Sequence, residues 1–251
     1  MDRMKMSQHA LIIGGTKGIG KAVARRFLEE GCLVSVIGRT EPIMESKNRE
    51  IRYYQLDLAK HEKIVPVVSK IIKSGGRLNS LIFCQRYRGK DDDWSGELAV
   101  SLTATKIMIE LLKNKFKASD GKSIVIISSI ASDFIVNEQP LSYHVAKAAL
   151  NQFIRYYAVA LGRRGIRVNG VSPGTIIKAE SQAYYFKNKP LHDLYRKITS
   201  LGRMITAEEV ANVIEFLCSS KASAVTGQNI ILDGGLFLRG QAALAREIKG
   251  L

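Results

Sequence analysis

Ala10-Leu11-Ile12-Ile13-Gly14-Gly15-Thr16-Lys17-Gly18-Ile19-Gly20 is the stretch that decides the fold. A short apolar run stops at glycines, and an amphipathic helical pattern starts at once, over Gly18 to Glu30. Glycine permits a tight turn and close approach of the backbone to a ligand, and a helix N-terminus offers unpaired N–H groups to an anion. Strand, glycine loop and helix in this order predict a dinucleotide site that holds a pyrophosphate. The spacing, Gly14-x-x-x-Gly18-x-Gly20, is wider at the front than G-x-G-x-x-G.

The same alternation continues along the chain. Further strands are expected at Leu33–Ile37, Arg52–Gln55, Ser80–Phe83, Ser123–Ile127, Arg167–Val171 and Asn229–Leu232. Several are near-continuous Val/Ile/Leu runs, as in strands covered on both faces. Helical patterns lie between them at His61–Lys73, Glu97–Lys117, Ser142–Leu161 and Ala207–Ser219. Residues 39–51 carry Pro42 and little apolar periodicity, so no full helix is expected there. Alternating strands and helices build right-handed crossovers and an α/β, doubly wound parallel sheet of about seven strands. No internal repeat or low-complexity linker interrupts the 251 residues, so residues 1–251 are read as one domain.

Composition narrows the function classes. The three cysteines, Cys32, Cys84 and Cys218, are scattered without a C-x-x-C pair, which points to reduced thiols and a cytoplasmic setting. The basic N-terminus runs into a short strand instead of a signal-peptide core, and no apolar run is long enough for a membrane span. His9, His61, His144 and His192 show no metal-ligand spacing, so no metal is assigned. The net charge of +15 (38 basic minus 23 acidic residues) favours an anionic ligand. The basic residues form no block and no known nucleic-acid motif, so nucleic acid is not the expected partner.

Chemistry concentrates in the second half. Tyr143-His144-Val145-Ala146-Lys147 puts a phenol and an ammonium one helical turn apart, on one face. The ammonium favours the charged form of the phenol, which can then exchange a proton with an alcohol or carbonyl oxygen. Ser128-Ser129 ends a buried strand 14 residues before Tyr143, where ligands of such sheets bind. A Ser129 hydroxyl there can hold the reacting oxygen and stabilise developing negative charge. The turn Pro173-Gly174-Thr175-Ile176 follows the sixth strand and should border a nicotinamide. After the third strand, Asp57-Leu58 offers a carboxylate to an adenine amino group or to the cap of the next helix. The second strand ends Val36-Ile37-Gly38-Arg39-Thr40, with no acid for a ribose 2′-hydroxyl. Arg39 and Lys17 would instead pair with a 2′-phosphate, which favours NADP(H).

Together these residues resemble the classical branch of the short-chain dehydrogenase/reductase family, over Leu11 to Gly235. The resemblance rests on Gly14/Gly18/Gly20, Asp57-Leu58, Ser129, Tyr143-x-x-x-Lys147, Arg167-Val168-Asn169 with Pro173-Gly174, and Thr226-Gly227-Gln228 with Leu232-Asp233-Gly234-Gly235. It implies a Rossmann-type domain that moves a hydride between nicotinamide and a carbonyl/alcohol substrate. Tyr143 would be the general acid/base, Lys147 its activator and a ligand of the nicotinamide ribose, and Ser129 the group that orients the substrate. Backbone near Ile176 would meet the carboxamide. The family is commonly tetrameric or dimeric, which implies a homo-oligomer.

The sequence departs from the family at two places. Asn-Asn-Ala-Gly after the fourth strand is replaced by Phe83-Cys84-Gln85-Arg86, followed by Tyr87-Arg88. The Asn that carries a proton-relay water in the family aligns with Ser101, whose hydroxyl can hold a water but does not establish the relay. A one-residue insertion also falls between Ala131 and Leu141. Residues 178–203 match the family's variable substrate lid, with Tyr184-Tyr185-Phe186 and the cations Lys178, Lys187, Lys189, Arg196, Lys197 and Arg203. With Arg86 and Arg88 this lid is expected to receive an anionic substrate, such as a carrier-bound acyl thioester, a sugar nucleotide or an acid. The tail 236–251 extends past the last glycines and could fold over a neighbouring subunit. The competing reading is a cofactor-binding regulatory or scaffold protein that has lost turnover.

Overall fold

Seven strands hydrogen-bond into one parallel sheet, in the order Ile51–Gln55, Leu33–Gly38, His9–Ile13, Ser80–Phe83, Lys122–Ile127, Ile166–Pro173, Asn229–Leu232. The computed structural model describes residues 8–40, 50–89, 92–118 and 121–250. In chain order its elements are β1 (His9–Ile13), α1 (Gly18–Glu29), β2 (Leu33–Gly38), β3 (Ile51–Gln55), α2 (Ile64–Gly75), β4 (Ser80–Phe83), α3 (Trp94–Leu98) and α4 (Ala104–Leu112). There follow β5 (Lys122–Ile127), α5 (Leu141–Gly162), β6 (Ile166–Pro173), β7 (Ile176–Ile177), α6 (Gln182–Lys187), α7 (Lys189–Ile198), β8 (Ile205–Thr206), α8 (Ala207–Cys218), β9 (Asn229–Leu232) and α9 (Gln241–Lys249). The strands expected at Ser80–Phe83 and Asn229–Leu232 match to the residue, and the others differ by one or two at their ends. Most of the segment expected to lack a helix, 41–49, lies outside the described residues.

Alternate residues of each strand serve opposite faces of the sheet. Leu11, Ile13, Leu81 and Phe83 pack under α2, α4 and α5. Ala10, Ile12, Val34, Val36 and Ile82 pack under α1 and α8. Burial on both faces is why these strands read as unbroken apolar runs. The winding direction reverses between β1 and β4, which opens a crevice at their carboxyl ends.

Several side chains anchor the far side of that crevice. Asn169 is fully buried on β6; its amide donates to the Val225 carbonyl (2.8 Å) and its oxygen accepts from the Gln228 N–H (3.1 Å). Arg167 donates to the carbonyls of Leu217 (2.6 Å) and Ser219 (3.0 Å), closing the C-terminal end of α8. The motif residues Arg167 and Asn169 are therefore structural: they fix β9 and α8 against β6.

The helix expected over Glu97–Lys117 is not continuous. A π-helical turn at Ala99–Thr103 separates α3 from α4, and α4 stops at Leu112. The charged segment beyond it leaves the helix so that Phe116 can bridge to Leu78, with the Leu78 N–H bonded to the Lys115 carbonyl (2.9 Å). The tail also packs on its own chain, with α9 against α7. Phe237 stacks on Phe134 with ring centroids 3.9 Å apart, and Arg239 donates to the Lys197 carbonyl (2.8 Å). No helix among the described residues is long and apolar enough to cross a membrane.

Candidate active site

The crevice holds two connected hollows. The larger, about 440 Å³, is lined by Gly14, Thr16, Lys17, Arg39, Asp57 and Leu58 among others. The smaller, about 310 Å³, is lined by Gly18, Ile19, Ser129, Tyr143, Lys147, Pro173, Gly174, Ile176 and Lys178 among others. Lys17, Cys84, Gln85, Arg86 and Arg88 border both, so one groove runs past β1 and β4. The residues expected from sequence to bind cofactor, and Ser129 with them, thus come together along it, with one exception.

Gly20 is the exception. It lines neither hollow; a Cβ there would lie 2.2 Å from the Gly14 carbonyl oxygen, so its task is close packing of α1 on the glycine turn. Gly14 has φ +80°, and a Cβ on it would sit 2.6 Å from the Gln85 backbone. The glycine turn and the Phe83–Arg88 loop are therefore pressed together with no room for side chains. The N-terminus of α1 has no side-chain cap from Lys17, and the Gly18 N–H instead donates to Glu180 Oε1 (2.9 Å). An anion held on that N–H shows that this end of α1 accepts negative charge, as a pyrophosphate requires. The residues fit a nicotinamide dinucleotide.

In the larger hollow, Lys17 and Arg39 line the wall with no carboxylate from β2 beside them. Asp57 Oδ1 accepts from the Ala59 N–H (3.1 Å), so Asp57 caps its own turn while bordering the hollow.

In the catalytic half, α5 presents Tyr143 and Lys147 from successive turns. Lys147 is buried; its Nζ donates to the Ile127 carbonyl (3.0 Å) and lies 5.4 Å from the centre of the Tyr143 ring. Ser128 donates to the Lys147 carbonyl (3.0 Å), tying the end of β5 to α5. Ser129 Oγ accepts from the Ala131 N–H (3.2 Å), which leaves its proton available to a ligand oxygen. A second cation borders Tyr143: Arg86 Cζ lies 5.0 Å from the ring centre, and Arg86 donates to Gln139 Oε1 (2.6 Å). Burial holds the Lys178 ammonium below its ordinary pKa, and Arg88 and Arg86 push it further down, against the opposing pull of Glu180 and Tyr143. Burial also pushes the Cys84 thiol up to about 12, so this groove residue is not a thiolate nucleophile.

Ser101 does not enter the groove. It is buried in the π turn and donates to Glu97, itself buried. In the sequence Glu97 stands out only as a helix start. Nothing local marks Gln139 and Val136, which line the smaller hollow. His144 places both: its Nε2 accepts from the Val136 N–H (2.9 Å) and its Nδ1 then donates to the Pro140 carbonyl (2.9 Å). Of the lid cations expected to face a substrate, Lys178 lines the groove. Arg203 is instead paired with Glu209 (2.6 Å), inside the capping box of α8, and Lys189 with Asp193 (2.9 Å). Lys187, Arg196 and Lys197 do not line either hollow. Tyr185 is the lid aromatic that does. No group of three His, Cys, Asp or Glu among the described residues could hold a metal ion.

Comparison with known proteins places this groove in context. A family model described as enoyl-(acyl carrier protein) reductase matches residues 14–237. A tropinone reductase homolog of Arabidopsis thaliana is 31% identical over 248 residues, covering 92% of this chain and 91% of the relative. A glucose 1-dehydrogenase of Gluconobacter oxydans is 28% identical over 248 residues, covering 92% of each. A solved structure of 4-hydroxyisoleucine dehydrogenase complexed with NADH superposes with a TM-score of 0.82 at 25% identity, over 93% of this chain and 100% of that one.

Proposed function

The chain belongs to the short-chain dehydrogenase/reductase family of oxidoreductases, and from that premise we propose that it is an NADP(H)-dependent ketoreductase acting on an anionic carbonyl substrate. The observation that carries the proposal is the gathering of Arg86, Arg88 and Lys178 around the Tyr143 end of the groove, with Lys17 and Arg39 at its adenosine end. Lys17 and Arg39 would hold a ribose 2′-phosphate, Gly18 and Ile19 the pyrophosphate, and the Pro173–Ile176 turn the nicotinamide side. Bound there, the cofactor supplies the hydride.

The chain's own residues do the rest. Ser129 donates its hydroxyl proton to the substrate oxygen and fixes its position. Tyr143 delivers a proton to that oxygen as it gains negative charge, and takes one back in the reverse direction. Lys147 has one of its three protons on Ile127, which leaves two to stabilise the charge on Tyr143 and to bind a ribose hydroxyl. Proton resupply through the Ser101 hydroxyl is not part of this scheme, because that hydroxyl points to Glu97. The same reading includes a single domain, a cytoplasmic location and a homo-oligomer.

Arg86 and Lys178 set the substrate class. An anionic group beside them would relieve the repulsion among the three cations. For an anionic carbonyl, Arg86→Ala should raise KM about 10-fold to 100-fold, the equivalent of one lost charge-assisted hydrogen bond. Raising the ionic strength should also raise the wild-type KM, because salt screens these charges. Equal activity on neutral ketones at every salt concentration, with Arg86→Ala silent, would remove the anionic substrate from the proposal.

A further inference from the structure

The lid reaches the glycine turn through one residue that the catalytic scheme does not use. Glu180 stands in a single helical turn, Ala179–Ser181, just ahead of α6, and its Oε1 accepts from the Gly18 N–H at 2.9 Å. Gly18 opens α1, and its N–H is one of the donors that a helix start offers to an anion. Lys178 lies across the same glycine: a Cβ on Gly18 would meet the Lys178 side chain at 3.4 Å. Burial would raise the Glu180 pKa, but the Gly18 N–H, its own N–H, Lys21 and Lys178 outweigh burial and hold it below its ordinary value. Glu180 therefore stays ionised at neutral pH, a lid carboxylate resting on a helix N-terminus.

A carboxylate and a cofactor phosphate cannot both occupy one N–H group. We propose that Glu180 is a latch which closes the substrate lid onto the glycine turn and competes with the dinucleotide for it, so that cofactor entry releases the lid. This rests on the cofactor reading of the groove given above. The lid segment behind Glu180 carries Tyr185, which lines the catalytic hollow, so release at Gly18 changes the wall of the substrate pocket. Coupling of this kind is reciprocal: whatever factor the latch subtracts from cofactor affinity, the cofactor subtracts from latch closure.

The test uses the full chain without added nucleotide and then with it. Backbone amide exchange at Gly18, followed by NMR, should accelerate in Glu180→Ala and to a smaller extent in Glu180→Gln, which keeps an uncharged acceptor. Titration should then show both NADPH and NADH binding about 2-fold to 5-fold more tightly to Glu180→Ala than to wild type, the worth of one charge at a helix end. The NADPH-to-NADH ratio should not move, since the latch bears on the Gly18 N–H and both nucleotides carry the same pyrophosphate. Unchanged Gly18 exchange, or nucleotide affinity that is unchanged or weaker in Glu180→Ala, would overturn the latch. If wild type binds neither nucleotide, the cofactor reading fails, and the Gly18 exchange result still decides whether the latch exists.

Discussion

Replacing Tyr143 by Phe is expected to lower kcat for carbonyl reduction by about 10²-fold to 10⁴-fold, the usual worth of a positioned general acid. The substitution removes the hydroxyl and little else. The ring remains on α5, where Arg86 packs 5.0 Å from its centre, and a Phe ring keeps that cation–π contact. Lys147 remains bonded to the Ile127 carbonyl and buried. Cofactor affinity should therefore be nearly unchanged, and KM should move far less than kcat. Steady-state kinetics with nucleotide titration on the same samples read both quantities. A Tyr143→Phe enzyme that reduces carbonyls at the wild-type rate would mean that the proton comes from elsewhere.

Replacing Arg39 by Asp should invert nucleotide choice. Arg39 follows β2, lines the larger hollow and is exposed, so the change should leave the core intact. Loss of charge-assisted bonds to a 2′-phosphate is worth about 1.5–3 kcal/mol, or roughly 10-fold to 100-fold in NADPH affinity. An acid in its place can accept from the ribose hydroxyls of NADH, so NADH affinity should hold or improve. Lys17 borders the same hollow and should retain part of the NADPH preference. Salt should weaken NADPH binding to wild type more than NADH binding, because only one of them carries the extra phosphate. An NADPH-to-NADH ratio that Arg39→Asp leaves unmoved would place the 2′-end of the cofactor elsewhere.

Much of this was legible in the sequence, for identifiable reasons. Strands buried on both faces announce themselves as Val/Ile/Leu runs, and glycines at Gly14 and Gly18 mark a turn where the backbone takes positive φ. Tyr143 and Lys147 share a helix face by spacing alone, and the structure keeps both at the groove. What escaped is decided by contacts between distant segments. Gly18 and Glu180 are 162 residues apart, and nothing local to Ala179-Glu180-Ser181 signals an acceptor for a helix end. Arg203 reads as a substrate-facing cation because charge is visible in sequence and partners are not; Glu209 takes it. Ser101 falls inside a helical pattern, but the π turn that aims its hydroxyl at Glu97 depends on how α3 and α4 pack. Gly20 carried the family spacing, yet its role is to let α1 approach the Gly14 carbonyl.

Isotope transfer reads hydride exchange between NADP(H) and a carbonyl carbon in this groove without relying on any substitution. Wild-type protein would be supplied with NADPH deuterated at the transferring C4 position and a panel of anionic and neutral carbonyl compounds. The product alcohol should carry deuterium on its carbinol carbon, one label for each cofactor oxidised, with anionic substrates preferred. Tight binding of NADPH without oxidation by any member of the panel, and with no label in product, would contradict it and leave a cofactor-binding protein that does not turn over.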